Sequence, residues 1–151
     1  MYNVALRILV DDEEAADVLQ ESFLDAFLRI ANFRNESTFG WWIKQIVVNK
    51  SISALRKRRL ELVPLDEGRV EELPDEDTPD DEDIQYQVAQ IRRSILLLPD
   101  NYRVVLTLFL LEGYDHEEIA HILRITENTS RTQLLRAKRK LIELLKNQKS
   151  N

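Results

Sequence analysis

Cysteine is absent from the chain, which removes disulfides, thiolate metal sites and thiol chemistry together and is compatible with a reducing compartment. Glycine and proline are scarce, at three and four residues in 151, too few for the turns of a sheet protein. No apolar run approaches the roughly 18 residues that span a bilayer. The N-terminus lacks the basic, apolar and small-residue order of a signal peptide. What remains is a chain with 44% hydrophobic and 32% charged residues, a composition suited to an all-helical cytoplasmic protein without membrane insertion.

The net charge of -6 argues against a nucleic-acid partner only until it is divided along the chain. Residues 1–60 hold 9 basic and 8 acidic groups, 61–83 hold 1 and 12, 84–123 hold 3 and 5, and 124–151 hold 8 and 2. Between Lys44 and Arg59 there are six basic residues and no acid. Two basic regions therefore flank an acidic one, and the whole-chain charge misleads about partners. Residues 61–83 carry three of the four prolines and little apolar periodicity. Such like-charge density opposes collapse and reads as a flexible linker spanning on the order of 25 Å as a coil and up to ~80 Å extended. Domains are expected over 1–60 and 84–151.

Apolar spacing predicts the helices. Tyr2–Val10 reads as the tail of a helix, and Asp12–Ala31 as one amphipathic helix burying Ala16, Leu19, Phe23, Phe27 and Ile30. After an interruption over 32–40, a helix from Trp41 or Trp42 to about Arg59 is expected to bury Trp42, Ile43, Ile46 and Val47, with Phe39 also in the core and Trp41 the more exposed tryptophan. Beyond the linker, Ile84, Val88, Ile91, Ile95 and Leu98 form a stripe that Pro99 ends. The next helix carries Tyr102, Val105, Leu106 and Phe109 and closes at Gly113. Asp115 and Glu118 have the spacing of a capping box for a short helix through Leu123. Thr126 can cap a last helix burying Leu134, Ala137, Leu141 and Leu144 and running to about Lys146.

The order short helix, tight turn at Arg124–Thr126, long basic helix is that of a helix-turn-helix. Ala120 suits a close helix crossing, with Ile119, Ile125 and Leu134 filling its angle. On a helical wheel Ser130, Leu134, Ala137 and Leu141 face inward, while Asn128, Thr132, Leu135 and Arg139, flanked by Arg131 and Arg136, face outward. Arginine reads guanine edges and asparagine reads adenine. The alternative, a solvated face of a bundle, is weakened by the capped helix and turn that precede it. The stretch from Phe33 to Arg59 joins Asn, Ser and Thr, two tryptophans and a basic helix, a combination that suits unpaired bases. An enzyme is suggested only by His116, Glu117 and His121; five residues apart, the histidines point about 140° away from each other and read as surface or turn residues. No metal, cofactor or catalytic residue is expected.

Asp17-Val18-Leu19-Gln20-Glu21-Ser22-Phe23, then Phe33-Arg34, Ser37, Phe39, Trp42, Ile43, Ile46 and Asn49 resemble the second conserved region of extracytoplasmic-function sigma factors of the sigma-70 family. Leu98-Pro99, Tyr102-Arg103, Glu112-Gly113, Glu118-Ile119-Ala120, Leu134, Arg136 and Ala137 resemble their fourth region. The resemblance implies a non-enzymatic subunit that carries core RNA polymerase to promoter DNA. It implies contacts from Asp17, Gln20, Glu21 and Leu24 to the beta-prime clamp helices, and from the second domain to the beta flap. Asn35, Glu36, Ser37 and Thr38 would capture a flipped minus-10 base, with Asn49, Lys50 and Arg56 along the opened strand. Asn128, Arg131, Thr132, Leu135, Arg136 and Arg139 would read minus-35, and an anti-sigma factor would be a further partner. Three departures stand out: Met1 falls where most of a first helix normally precedes, Arg124 occupies a turn position often held by Gly or Asn, and Leu135 replaces a commonly larger side chain. A stand-alone helix-turn-helix regulator is the competing expectation.

Overall fold

A computed structural model describes residues 1–34, 36–61 and 84–149; residues 62–83 of the expected linker and Asn35 lie outside the described residues, as does the side chain of Ile84, while Glu61 is the last residue of a helix. All regular structure among the described residues is helical, and the helices group into two compact units.

In the first unit α1 (Tyr2–Leu9), α2 (Asp12–Leu28) and α3 (Phe39–Glu61) each pack on the other two. Val10 ends α1 in the left-handed conformation, at φ 54°, and its N–H reaches the Leu6 carbonyl at 2.7 Å. A β-branched residue is strained there. Asp11 restarts the chain as the cap of α2, its carboxylate accepting from the Glu14 N–H at 2.9 Å. Three acidic residues in the first turn, Asp12, Glu13 and Glu14, suit the helix dipole. Arg58 joins all three helices: one guanidinium nitrogen donates to the Leu9 carbonyl at 2.8 Å and to Glu14 Oε2 at 2.9 Å.

The face of α2 that meets its neighbours is not the expected one. Ala15, Val18, Ser22 and Ala26 are buried, whereas Phe23, Phe27 and Ile30 are exposed and Ala16 and Leu19 half-buried. Small residues let α2 approach α1 and α3 closely, and the Ser22 hydroxyl turns back to the Val18 carbonyl at 2.6 Å, so its burial leaves no polar group unmet. The helix also ends earlier than Ala31, at Leu28, before a single 3₁₀ turn over Ile30–Asn32. α3 begins at Phe39, because the Thr38 hydroxyl accepts from the Trp41 N–H at 3.2 Å and starts the helix there. Ile43, Val47, Val48, Ser51, Ile52 and Leu55 make its inner face; Trp42 and Ile46 are half-buried rather than core, Trp41 is half-buried too, and Phe39 is exposed.

In the second unit α4 (Ile84–Leu96), α5 (Asp100–Leu106) and α6 (His116–Leu123) all pack on α7 (Glu127–Lys149). Among the described side chains of the expected α4 stripe, Ile95 and the following Leu98 are buried, and Val88 and Ile91 are exposed. Pro99 caps α5, and buried Arg103 is met by Asp100 at 2.7 Å and the Leu98 carbonyl at 3.1 Å. α5 passes into a π-helical turn, Thr107–Leu111, which puts Leu110 and Leu111 at the surface. Gly113 at φ 79° closes it, a conformation that glycine alone adopts without strain, and the Tyr114 N–H reaches the Leu108 carbonyl at 2.9 Å.

Ile119 is fully buried where α6 crosses α7. Ile119→Ala is expected to lower the stability of this unit by about 3 kcal/mol, read as its thermal unfolding. Burial, helped by the nearby Glu112 and Glu118 carboxylates, pushes the Tyr114 phenol up to about 12. The folded state thus holds a proton that the unfolded state releases near pH 10. Stability should fall between pH 10 and 12 more steeply in the native chain than in Tyr114→Phe, measured by denaturant titration at each pH.

Candidate nucleic-acid interface

The short helix α6 opens with a complete capping box. Asp115 accepts from the Glu118 N–H at 2.8 Å, and Glu118 accepts from the Asp115 N–H at 3.3 Å. It closes at Arg124, left-handed at φ 57°, where the N–H groups of Arg124 and Ile125 both return to the Ala120 carbonyl. Arginine therefore makes the turn that glycine or asparagine was expected to favour. Thr126 then caps α7, its hydroxyl accepting from the Thr129 N–H at 3.1 Å.

Burial fixes the roll of α7. Ser130, Leu134, Ala137 and Leu144 are buried and Leu141 is half-buried, so Asn128, Arg131, Thr132, Leu135, Arg136 and Arg139 are all exposed along the opposite side. Leu135, 51% exposed, is an apolar group among cations. Arg131 is held by Glu127 at 3.1 Å and by the Asn128 side-chain oxygen at 3.2 Å. His116 is neither a turn nor a surface residue. It stands at the first position of α6, half-buried, with Nδ1 2.8 Å from the buried Ser130 hydroxyl and its ring stacked on Phe109 at 4.6 Å. This polar link between the crossing helices had no sequence signal beyond a serine on an inward face.

In the first unit Phe33, Phe39 and Trp42 cluster at centroid distances of 5.3 to 5.8 Å, Phe33 edge-on to Phe39 and both tilted against Trp42. They tie together the two ends of the segment between Phe33 and Phe39, on which Glu36, Ser37 and Thr38 are exposed. Thr38 spends its hydroxyl on the α3 cap, and the Ser37 hydroxyl lies 3.4 Å from the Thr38 carbonyl. Farther along α3, Asn49 is exposed and Lys50 and Arg56 are half-buried. Lys50 is paired with Asp25 of α2 at 3.5 Å, an acid that also meets Arg29 at 3.4 Å. Arg58 is committed to the helix junction. The basic run thus does two jobs, and only part of it faces outward.

The outer face of α2 is a second kind of surface. Asp17, Gln20, Glu21 and Leu24 are exposed beside Phe23, Phe27, Leu28 and Ile30, with Phe27 at 74% and Leu28 at 71%. An exposed apolar strip of this kind on a small domain is a candidate surface for another protein. Phe23, Phe27 and Ile30, expected on the inward apolar stripe of this segment, stand at the surface instead. Among the described residues no group of acids and histidines is arranged to hold a metal ion, and no helix is long and apolar enough to cross a membrane.

Comparison with known proteins places the chain in a family. Residues 1–61 match the family described as Sigma-70 region 2, and residues 89–141 match Sigma-70, region 4. The chain is 34% identical to the ECF RNA polymerase sigma-E factor of Haemophilus influenzae, over 89% of this chain and 75% of that protein. It is 30% identical to the RNA polymerase sigma-H factor of Pseudomonas aeruginosa, over 91% of this chain and 76% of that protein. The sigma factor RpoE of Bartonella quintana, solved in complex with the anti-sigma factor NepR, has the same fold at a TM-score of 0.64 and 23% identity, covering 96% of this chain and 89% of that one.

If the α2 strip is a contact surface and not a misplaced core, Phe27→Gln should change folding stability by no more than about 0.5 kcal/mol. Val18→Ala on the inner face should cost about 1 to 2 kcal/mol. Thermal unfolding of the two variants checks the assignment of faces.

Proposed function

The chain belongs to the extracytoplasmic-function group of the sigma-70 family, and from that premise we propose that it binds core RNA polymerase and sets promoter choice through two separate DNA-reading surfaces. The observation that carries this reading is the roll of α7. Its buried serine, leucine and alanine face leaves Asn128, Arg131, Thr132, Leu135, Arg136 and Arg139 together on the outside, where a major groove admits a helix and Arg and Asn side chains read base edges. These residues are assigned to minus-35.

Glu36, Ser37, Thr38, Asn49, Lys50 and Arg56 are assigned to the opened minus-10 strand, together with Asn35. Hydrogen-bonding groups on a segment pinned by an aromatic cluster, followed by cations along one helix, suit a flipped base and its phosphates. Asp17, Gln20, Glu21 and Leu24 are assigned to the beta-prime clamp helices, joined now by Phe23, Phe27 and Leu28, whose apolar area supplies the affinity that the polar residues orient. The second domain is assigned to the beta flap, and an anti-sigma factor is the expected regulator. Domain limits of 1–60 and 84–151, joined by the acidic stretch 61–83, a non-enzymatic role and a cytoplasmic location complete the proposal. A stand-alone regulator is disfavoured because residues 1–61 match a family region of their own.

Reconstituted with core polymerase from its own organism, the chain should give promoter-dependent transcripts from its genome, and their absence on every template would refute the reading. Arg136→Ala is expected to cost roughly 1 to 3 kcal/mol at one minus-35 position while sparing the rest. Affinity should fall steeply with salt, as counterions return to the phosphates. Phe27→Gln should lose core polymerase in pull-down without losing its fold.

A further inference from the structure

Resting on the reading of α7 as the minus-35 helix, we propose that Glu127 is a specificity-determining residue of that surface, positioning the guanidinium of Arg131 for a single base pair. Residues 124–151 hold eight basic groups and only two acidic ones, and Glu127 is one of the two, in the first turn of the helix that would enter the groove. An acid there opposes the phosphates and weakens binding to every sequence. Its place therefore calls for a reason other than affinity.

The side-chain geometry supplies one. Glu127 Oε2 lies 3.1 Å from Nη2 of Arg131, and Asn128 Oδ1 lies 3.2 Å from Nη1. Two acceptors from two residues hold the two terminal nitrogens of one planar fork, so the plane of the fork is set before DNA arrives. Each terminal nitrogen carries two N–H groups, which leaves one on each for the N7 and O6 acceptors of a guanine. The pair is about half exposed on both sides, so it adds little to folding stability, and its consequence is orientation. At a guanine both the fork and the carboxylate stay satisfied. At another base the fork makes one bond or none, and Glu127 is brought into the groove without compensation, which penalises that site.

An acid in the first turn also stabilises a helix through its dipole, a role that needs no Arg131. The two roles separate in one experiment. Holoenzyme carrying the native chain, Glu127→Ala, Arg131→Ala or both is assayed for transcription on a promoter substituted at each minus-35 base pair in turn. The expected result is that Arg131→Ala flattens preference at one G·C pair and that Glu127→Ala flattens the same pair by roughly three- to ten-fold. The double variant should be little worse than Arg131→Ala alone. Equal gain or loss on all sequences with Glu127→Ala, while Arg131→Ala still flattens one pair, overturns the inference and leaves the promoter reading standing. No change of preference with Arg131→Ala overturns the reading of Arg131 beneath it. Should Glu127→Ala melt early, Glu127→Gln carries the same comparison, because it keeps the side-chain length and an acceptor oxygen while discarding the charge.

Discussion

Close approach of helices through alanine and serine is the constraint on which both units depend. Ala5, Ala15, Ala26, Ser22 and Ser51 are buried in the first unit, and Ser94, Ser130 and Ala137 in the second. Side chains this small bring helix axes together where they stand, and larger residues such as Ile119 fill the space beside them. The consequence is felt on the outside. Once Ala15, Val18, Ser22 and Ala26 occupy the inner face of α2, Phe23, Phe27 and Leu28 have nowhere to go but the surface. Once Ser130, Leu134 and Ala137 occupy the inner face of α7, its arginines are turned outward as a set. The functional surfaces are the complement of the packing.

This is also why parts of the molecule were legible in the sequence and parts were not. Local signals survived intact: the capping box of Asp115 and Glu118, the Thr126 cap, and the inward set of α7, each decided within a few residues by hydrogen bonds or a single period. α2 failed because its segment carries two stripes at helical spacing, Ala15-Val18-Ser22-Ala26 and Leu19-Phe23-Phe27, the second continuing to Ile30 just past the helix end. Hydrophobicity alone prefers the larger, and apolar residues left at the surface look the same in sequence as apolar residues of the core. Val88 and Ile91 on α4 misled for the same reason. The π-helical turn had only a weak trace, the run from Val104 to Leu111, apolar except for Thr107, whose lack of period gave no face to choose.

The candidate site was legible in its members more than in its connections. That Arg131 and Arg136 face outward follows from a wheel. That Arg131 is tethered to Glu127 and Asn128, that Lys50 meets Asp25 across two helices, and that Arg58 serves the fold are facts of side-chain placement that residue type does not encode. The His116 to Ser130 bond belongs here too. It puts a directional contact between the two crossing helices, next to the first outward-facing arginine.

What the outer face of α7 touches in the assembled enzyme decides its role. A photoreactive amino acid at position 135, in the middle of that face, placed in holoenzyme on a mapped promoter, measures it in one step. Crosslinks to duplex bases at minus-35 are the expected result. Crosslinks confined to polymerase, or none to DNA at all, would contradict the central claim.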